Sequence, residues 1–295
     1  MLLGLPEFDV LRANTVAEAC SLLSKYGDEA RVLAGGTDLL VKMKYKGTLP
    51  RYLINVKRIP DLDHIRYEEP AGLRIGALTT IQTIKDSSVI ARKLPLLSQA
   101  AGKVGTLQIR NLGTIGGNLA NASPAAEFAP VLLTLGASVK CAGPGGERLI
   151  AMDDFFLGPG KTSLRGNEML TEIIVPNLPP HAAGVYLKHS LRGMDVAIVS
   201  AAVVIHLDGE VCQDAKIALG AVAPTPFRAR KAEAILNGRT LRGAEDDNEL
   251  FDEVARVAAG ESVPIDDLRA YTTYRKKVAE NLTRQGLEQA IAMVR

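Results

Sequence analysis

Hydrophobic and polar positions along the chain switch between a helical and a strand-like period, and the first switch lies near the N-terminus. Thr15 and Glu18 form a capping box that predicts the start of a helix, and Gly27 is expected to end it. The apolar residues of this segment share one helical face: Val16, Ala19, Leu22 and Leu23. The short apolar runs 31–34 and 52–56 then predict strands, which complete a β-α-β unit at the N-terminus.

The pattern over 62–176 predicts a second unit in which helices and strands are mixed. Thr79 or Thr80 is expected to cap its first short helix, and Pro130 is expected to limit or kink its last. The predicted helices are 80–84, 94–104 and 124–135, and the predicted strands are 73–77, 137–142, 147–152 and 169–175.

A proline-rich linker at 176–180 is the clearest domain boundary in the sequence. Beyond it, the pattern predicts a strand meander (185–191, 197–207, 215–222) and closing helices (227–236, 249–259, 268–294). We therefore expect three units: an N-terminal subdomain (1–60), a second subdomain (61–177) and a C-terminal domain (178–295).

The composition is that of an ordinary globular protein, with 47% hydrophobic and 23% charged residues in a chain of 295. A balance of 35 Lys+Arg against 33 Asp+Glu gives a net charge of +2, which argues against an extended basic surface for nucleic acid. The most apolar stretch, 197–207, is too short to span a bilayer, and the first residues lack the basic region of a secretory signal. We therefore expect a cytoplasmic protein with no nucleic-acid partner and no membrane span.

The cysteines and histidines are not spaced as metal ligands. Cys20, Cys141 and Cys212 are scattered and form no C-x-x-C motif, and the four histidines show no ligand spacing. Three cysteines are also fewer than an iron–sulfur cluster usually requires. We predict that this chain itself binds no metal.

The first of two glycine-rich turns follows the predicted strand 31–34. Glycine tolerates positive φ and has no side chain, so backbone N–H groups at Gly35 and Gly36 can converge on an anion without a cation. Thr37 and Asp38 would then contact the anion or hold the loop in shape. An ordinary tight turn explains the same residues, and both interpretations stay open at this point.

The second glycine-rich turn spans 113–118 and reads Gly-Thr-Ile-Gly-Gly-Asn. Its paired glycines permit the close approach of a ligand. The carboxylate of Glu127, further along, can accept hydrogen bonds from ribose hydroxyls. The polar side chains that converge after it are Asn118, Asn121, Ser123 and Glu127. A β-bulge followed by a helix cap at Ser123 is the alternative. Two cradles without lysine or arginine suggest a ligand with adjacent phosphates, such as a dinucleotide.

Signatures of other catalytic sites are missing from the sequence. Neither turn is a Rossmann fingerprint, and segment 158–162, Gly-Pro-Gly-Lys-Thr, lacks the first glycine and the following helix of a P-loop. No Ser-His-Asp order and no paired carboxylates stand out. We predict no catalytic side chain here, which suits a protein whose cofactor performs the chemistry.

Three motifs, at 32–40, 109–124 and 155–162, occur in the same order and at similar spacing in a known family, and 274–279 looks like that family's closing helix. Over nearly its whole length the chain resembles the FAD-binding medium subunit of the molybdenum hydroxylases. That group includes xanthine dehydrogenase, carbon monoxide dehydrogenase and 4-hydroxybenzoyl-CoA reductase. The resemblance implies an α+β fold: an FAD-binding fold of the vanillyl-alcohol-oxidase/p-cresol-methylhydroxylase type, with two α+β subdomains, plus a C-terminal sheet-and-helix domain.

The resemblance also implies which residues contact FAD. Both turns would meet the diphosphate, Val104 would pack on the cofactor, and Glu127 stands where the family usually has aspartate, as a ribose or adenosine partner. Leu170 matches an adenine- or ring-packing position, Lys188 matches a lysine that contacts the cofactor, and Asp195 lies in the loop facing the flavin. The implied residues of the two turns are Arg31, Val32, Leu33, Ala34, Gly35, Gly36, Thr37 and Asp38 in the first, and Thr114, Gly117, Asn118 and Ser123 in the second.

The function that the resemblance implies is an electron-transfer flavoprotein subunit. A large partner subunit would hold the molybdenum cofactor and a small partner [2Fe–2S] clusters, in a dimer of heterotrimers. Electrons would pass between the clusters and FAD, and on to NAD or another acceptor. The cysteine-rich insertion that holds an extra [4Fe–4S] cluster in the 4-hydroxybenzoyl-CoA reductase branch is missing, which leaves the substrate open.

Two other functions fit the glycine turns. One is a stand-alone flavin-dependent reductase resembling UDP-N-acetylenolpyruvoylglucosamine reductase, which would need an acid placed to protonate a carbanion. The other is a non-catalytic assembly module whose glycine turns are only structural.

Overall fold

The computed structural model describes residues 4–45, 47–243 and 246–295. Its N-terminal elements are β1 (Asp9–Arg12), α1 (Val16–Tyr26), a 3₁₀ turn (Gly27–Glu29), β2 (Ala30–Leu33), α2 (Leu39–Lys44) and β3 (Tyr52–Asn55). The three strands form a parallel sheet in the order β1-β3-β2. The predicted ends of α1 are confirmed, since Thr15 Oγ1 accepts from the Glu18 N–H at 3.0 Å and Gly27 adopts φ 50°. Because β2 and β3 are parallel, the segments that follow them leave the sheet at the same edge.

A five-stranded antiparallel sheet forms the second unit, in the order β4-β5-β10-β6-β7. Its strands are β4 (Ile65–Glu68), β5 (Gly72–Gly76), β6 (Ser138–Gly143), β7 (Gly146–Ala151) and β10 (Met169–Val175), with a separate hairpin of β8 (Phe156–Gly158) and β9 (Lys161–Thr162). Its helices are α3 (Ile81–Asp86), α4 (Ser88–Lys93), α5 (Pro95–Lys103), α6 (Leu107–Leu112), α7 (Ile115–Ala120) and α8 (Phe128–Thr134), with a 3₁₀ turn at Met152–Asp154.

The C-terminal unit is an antiparallel sheet covered by helices. Its elements are β11 (Ala182–His189), β12 (Val199–Asp208), β13 (Val211–Gly220), β14 (Phe227–Arg228), α9 (Arg230–Leu236), α10 (Asn248–Glu261) and α11 (Thr272–Val294). The predicted meander of three strands is confirmed, with β12 in the middle. Parallel and antiparallel sheets thus lie in separate parts of the chain, which confirms the expected α+β class.

The central strand β12 is buried on both faces. Ala202 and Val204 pack in the core of the second unit, where α5 and α8 lie, whereas Val203 packs under α11. The contact with α11 is close, because a Cβ added at Gly286 would lie 2.6 Å from a methyl of Val203. Burial on both faces explains why this strand reads as an unbroken apolar run.

The helix predicted over 124–135 begins only at Phe128. Ser123 Oγ accepts from the Ala125 N–H, and its carbonyl accepts from the Ala126 N–H, which holds this stretch as a turn. Pro130 then lies in the first helical turn, where an N–H needs no partner within the helix. The helix therefore continues to Thr134, and the predicted limit or kink at Pro130 is wrong.

Two further helix starts were predicted too early, at 227 and 268. Phe227–Arg228 pairs with β13 as a strand, so α9 begins at Arg230. The last helix begins at Thr272, whose N–H donates to Asp266 at 2.5 Å. The edge strands β1 and β4 and the short helices α4, α6 and α7 carry too little apolar periodicity to be predicted.

None of the helices in the described part of the chain is both long enough and apolar enough to span a lipid bilayer.

Arg275 ties the start of α11 to the ends of two strands. Its side chain is 1% exposed, and Nη1 donates to the carbonyls of Ile198 (2.9 Å) and Ala221 (3.0 Å). Nη2 donates to Asp267 at 2.6 Å. The hydrogen bonds from Arg269, with a smaller contribution from Arg275, hold the pKa of Asp267 well below its usual range. The loop that precedes Ile198 is therefore anchored by the last helix.

We expect Arg275→Met to destabilise the protein by roughly 3 kcal/mol, because it leaves two buried carbonyls without their charged donor and removes one of the two arginines that pair with Asp267. Urea unfolding measures the effect. The neighbouring exposed Lys276→Met removes the same charge and should change stability by less than about 0.5 kcal/mol. Equal stabilities of the two variants would show that the buried guanidinium does not hold the unit together.

Candidate functional site

The first glycine-rich turn presents unpaired backbone donors. Gly36 adopts φ 77°, and its carbonyl accepts from the Leu40 N–H at 3.1 Å, which closes the turn into α2. Within the described part of the chain, the N–H groups from Gly35 to Asp38 donate to no protein acceptor. This turn therefore has the donors that an anion requires.

The second glycine-rich segment is not a turn but the start of α7. Thr114 caps the helix by accepting from the Gly117 N–H at 3.0 Å, and the Gly116 N–H donates to the Ala77 carbonyl at 2.9 Å. A Cβ at Gly116 would lie 2.7 Å from that carbonyl oxygen, so this glycine is required for packing. The predicted role of both glycines in a ligand's approach is therefore wrong for Gly116. At Gly117 an added Cβ would meet only the Thr114 hydroxyl, at 3.0 Å.

The alternative of a helix cap at Ser123 is also wrong. Glu127 is the residue that precedes α8, and Ser123 closes the turn before it. Ala122 in that turn adopts φ 47° and accepts from the Gly160 N–H at 2.9 Å. The hairpin β8–β9, which carries the third sequence motif, thus supports the loop between α7 and α8.

The two glycine-rich segments lie against each other. A Cβ added at Gly35 would lie 2.2 Å from the Leu112 carbonyl oxygen and 2.9 Å from the Cα of Gly113. Only glycine permits this approach of two backbones. The fold therefore brings the first turn of the parallel sheet next to α7 of the second unit.

Asn118 has an amide oxygen that is buried and finds no hydrogen-bond partner among the described residues. A buried polar atom without a partner is rare in a folded protein and requires an explanation. Asn118 lies on α7 beside Gly117, so the unpaired acceptor and the open glycine belong to the same short helix.

Lys188 of the C-terminal sheet bonds to the predicted residue Glu127 and to the backbone just before the predicted residue Val104. Its Nζ donates to Glu127 at 2.8 Å and to the Lys103 carbonyl, next to Val104, at 2.7 Å. The side chains of Lys188 and Glu127 are only 1% and 9% exposed. Lys188 and Glu127 thus form a buried ion pair between the second unit and the C-terminal sheet, bonded to the backbone residue that precedes Val104.

Burial raises the pKa of Glu127, and the Lys188 ammonium opposes that rise. An acid whose pKa is raised on folding binds protons more tightly in the native state, so stability falls as the pH rises through its titration range. The Lys188 partner limits this effect near neutral pH.

The remaining predicted residues lie apart from these groups. Arg31 donates to the carbonyls of Asp28 and Ala30 near the start of β2, while Val32, Leu33 and Ala34 lead into the first turn. Leu170 is buried in β10 opposite Cys141, and Asp195 lies in an exposed loop. The described contacts do not bring Arg31, Leu170 or Asp195 together with the two turns.

Lys42 was missed by the sequence analysis. It lies on α2, four positions after Asp38, and its Nζ donates to Asn121 Oδ1 at 2.5 Å. The signal that would have found it is the helical spacing of an acid and a base directly after the first glycine turn.

The cysteines are free and buried. Within the ranges that the structure describes, no three His, Cys, Asp or Glu side chains cluster as ligands for a metal ion.

Lys188→Met is expected to destabilise the protein by roughly 3 kcal/mol near neutral pH, because it leaves Glu127 buried without a counter-charge. The loss should shrink at acid pH, where Glu127 is protonated, and should largely disappear in the double variant with Glu127→Gln. Urea unfolding of the wild type, Lys188→Met and the double variant, each at neutral and at acid pH, tests this. Lys103→Met, which removes an exposed ammonium but keeps the carbonyl, serves as the control. A loss that is the same at both pH values would contradict the charge-burial explanation.

Comparison with known proteins places these features in a family. The model for the FAD binding domain in molybdopterin dehydrogenase matches residues 6–178, and the model for the CO dehydrogenase flavoprotein C-terminal domain matches residues 185–290. The chain is 36% identical over 286 residues to the carbon monoxide dehydrogenase medium chain of Afipia carboxidovorans, covering 97% of each. It is 34% identical over 284 residues to the glyceraldehyde dehydrogenase medium chain of Sulfolobus acidocaldarius, covering 96% of this chain and 98% of the relative.

The fold is also similar to a solved structure. A chain of carbon monoxide dehydrogenase from Hydrogenophaga pseudoflava, in a form that lacks the Mo-pyranopterin moiety of the molybdenum cofactor, matches with a TM-score of 0.93. The identity is 35%, and 98% of each chain is covered. The resemblance inferred from the sequence motifs and the expected architecture are thereby confirmed. The chain belongs to the FAD-binding medium subunits of the molybdenum hydroxylase family of oxidoreductases.

Proposed function

We propose that this chain is the FAD-binding electron-transfer subunit of a multi-subunit molybdenum hydroxylase. It would receive electrons from [2Fe–2S] clusters of a small partner subunit, and a large molybdopterin-binding subunit would act on the organic substrate. NAD or another acceptor would take the electrons from this subunit. The observation that carries the proposal is the row of unpaired N–H groups from Gly35 to Asp38, in a turn packed against the segment that leads into α7, the helix with the unpaired Asn118 amide oxygen.

The described residues fit a dinucleotide such as FAD. The first turn offers backbone donors to a diphosphate, which needs several donors but no lysine in the turn itself. The Asn118 oxygen offers an acceptor to a hydroxyl or amino group, and Gly117 leaves the surface of α7 open. Thr114 and Ser123 border the same segment.

The other predicted residues complete the proposed site. Val104 and Glu127 would lie along the cofactor, held in place by Lys188, and a direct contact of Lys188 with the cofactor stays a prediction. Leu170 would pack on a ring, Asp195 would face the flavin from its loop, and the segment from Arg31 to Leu33 would lead the backbone into the first turn. The proposed units that together hold the cofactor are residues 1–60, 61–177 and 178–295.

The chemistry that FAD supplies when bound is the conversion between single electrons and electron pairs. The polypeptide contributes binding and orientation. The turn residues fix the diphosphate end, and the buried ion pair of Lys188 and Glu127 sets the position of the α5–α6 junction at Val104. No side chain is assigned a proton transfer.

The assembly that we propose is a dimer of heterotrimers in the cytoplasm. The similarity to medium chains of carbon monoxide dehydrogenase and glyceraldehyde dehydrogenase over nearly their whole length supports a subunit of a larger enzyme. The match of residues 185–290 to a CO dehydrogenase flavoprotein domain favours this subunit over a stand-alone reductase.

The direct test is purification of the full chain with the proteins that copurify with it, followed by flavin and metal analysis. We expect one FAD per chain, and molybdenum and iron only in fractions that contain the partner subunits. Absence of flavin from the purified chain would falsify the proposed function. Reduction of a substrate by NADPH with the chain alone would instead favour the stand-alone reductase.

A second test separates a cradle from a purely structural glycine segment. Gly117→Val should weaken FAD binding by at least about tenfold, because its side chain would occupy the open surface of α7 that the cofactor would approach. The fold should be retained, because an added Cβ would meet only the Thr114 hydroxyl. Gly116→Val should instead destabilise the whole protein, because it collides with Ala77. FAD titration and circular dichroism of both variants give the answer. Normal FAD binding by the Gly117 variant would support the assembly module.

A further inference from the structure

Three polar side chains connect the two glycine-rich segments. Asn121 ends α7, and its Nδ2 donates to Asp38 Oδ1 at 3.1 Å. Its Oδ1 accepts from Lys42 Nζ at 2.5 Å. One amide therefore joins a carboxylate and an ammonium that both belong to the α2 region, 83 and 79 positions away in the chain.

The chemistry of these contacts requires an amide at position 121. An amide donates at one end and accepts at the other, which matches the carboxylate of Asp38 and the ammonium of Lys42. An aspartate there would repel Asp38, and an apolar residue would bind neither partner. Because the backbone N–H of Asn121 also donates to the Gly117 carbonyl at 3.0 Å, the amide is attached to the same helix that carries Asn118.

Asp38 is the one acid at the end of the turn whose N–H groups have no protein acceptor. An unrestrained carboxylate there would repel a diphosphate bound by those groups. The bonds to Asn121 and the charge of Lys42 orient and offset this carboxylate. Burial raises the pKa of Asp38 and Lys42 opposes the rise, as expected if the carboxylate depends on its ammonium neighbour.

We propose that Asp38, Asn121 and Lys42 form a latch that holds the first turn against α7 and thereby controls how tightly the dinucleotide is retained. Asn121 and Lys42 are positioning residues in this latch. The inference rests on the proposed FAD site, but it assigns roles to Asn121 and Lys42, which the family resemblance does not place at the cofactor. It adds a side-chain connection to the backbone contact at Gly35.

The test compares FAD retention in Asn121→Leu, Lys42→Met and the double variant, each as the full chain with its copurifying proteins. Each single variant should release FAD about tenfold faster, because a charge-assisted hydrogen bond of the latch is lost. The double variant should release FAD no more than about twofold faster than either single variant, because both substitutions break the same connection. Lys42→Arg should restore slow release, because it returns a charged donor.

Lys25→Met serves as the matched control. It removes the same charge from the N-terminal unit, at a side chain whose ammonium lies 4.9 Å from the Tyr26 ring centroid and, among the described contacts, bonds to none of the latch residues. Thermal unfolding of the FAD-free variants supplies a readout besides FAD release. The latch predicts unchanged midpoints, since all three latch residues lie at the surface or partly exposed.

The outcomes are distinct. A wild-type chain that holds no FAD overturns the proposed function and the latch together. A wild-type chain that holds FAD, with unchanged release in the Asn121 and Lys42 variants, overturns the latch alone. Additive effects in the double variant, or equal acceleration in Lys25→Met, likewise overturn it, because the effect would then come from net charge.

Discussion

The site depends on the contact of two backbones at Gly35. The turn after β2 follows a strand of the parallel sheet, whereas α6 and α7 belong to the unit with the antiparallel sheet. At Gly35 the backbones of these two segments are in contact, with no side chain between them. Any Cβ at position 35 would collide with the Leu112 carbonyl. This contact packs the turn that carries the unpaired donors against the segment that leads into α7, the helix that contains Asn118.

Charge is distributed around this contact rather than in it. The first turn contains backbone donors and one acid, while the ammonium of Lys188 is committed to Glu127 and a carbonyl inside the protein. Lys42 acts from the neighbouring helix through Asn121. A dinucleotide would therefore meet oriented dipoles first, which suits a cofactor that is held by shape and hydrogen bonds rather than by strong ion pairs.

Much of this arrangement could be predicted from the sequence. The order of the glycine-rich motifs led to the correct family. The apolar runs located the strands of the C-terminal sheet, because hydrophobic periodicity and the glycines and prolines that bound each element are local features of the sequence. The role of Gly116 could not be predicted, because the same paired glycines serve a ligand cradle or a close packing contact. The choice depends on Ala77, which is distant in the chain. The pairing of Lys188 with Glu127 could not be predicted either, because it joins a strand of the C-terminal unit to the start of a helix in the second unit, 61 positions earlier in the chain.

Because β12 is buried on both faces, the hydrophobic core of the second unit is complete only after the C-terminal sheet has formed. The linker at 176–180 separates two units in sequence, but the core does not stop there. Tyr186, Ala202, Val204 and Ala218 of the C-terminal sheet complete the hydrophobic core of the unit before it. While the ribosome is still making the last strands, the first 180 residues have an unsealed apolar face, and such a face is prone to aggregation. The linker therefore marks a boundary in the sequence but not a point at which the preceding residues form a closed hydrophobic core.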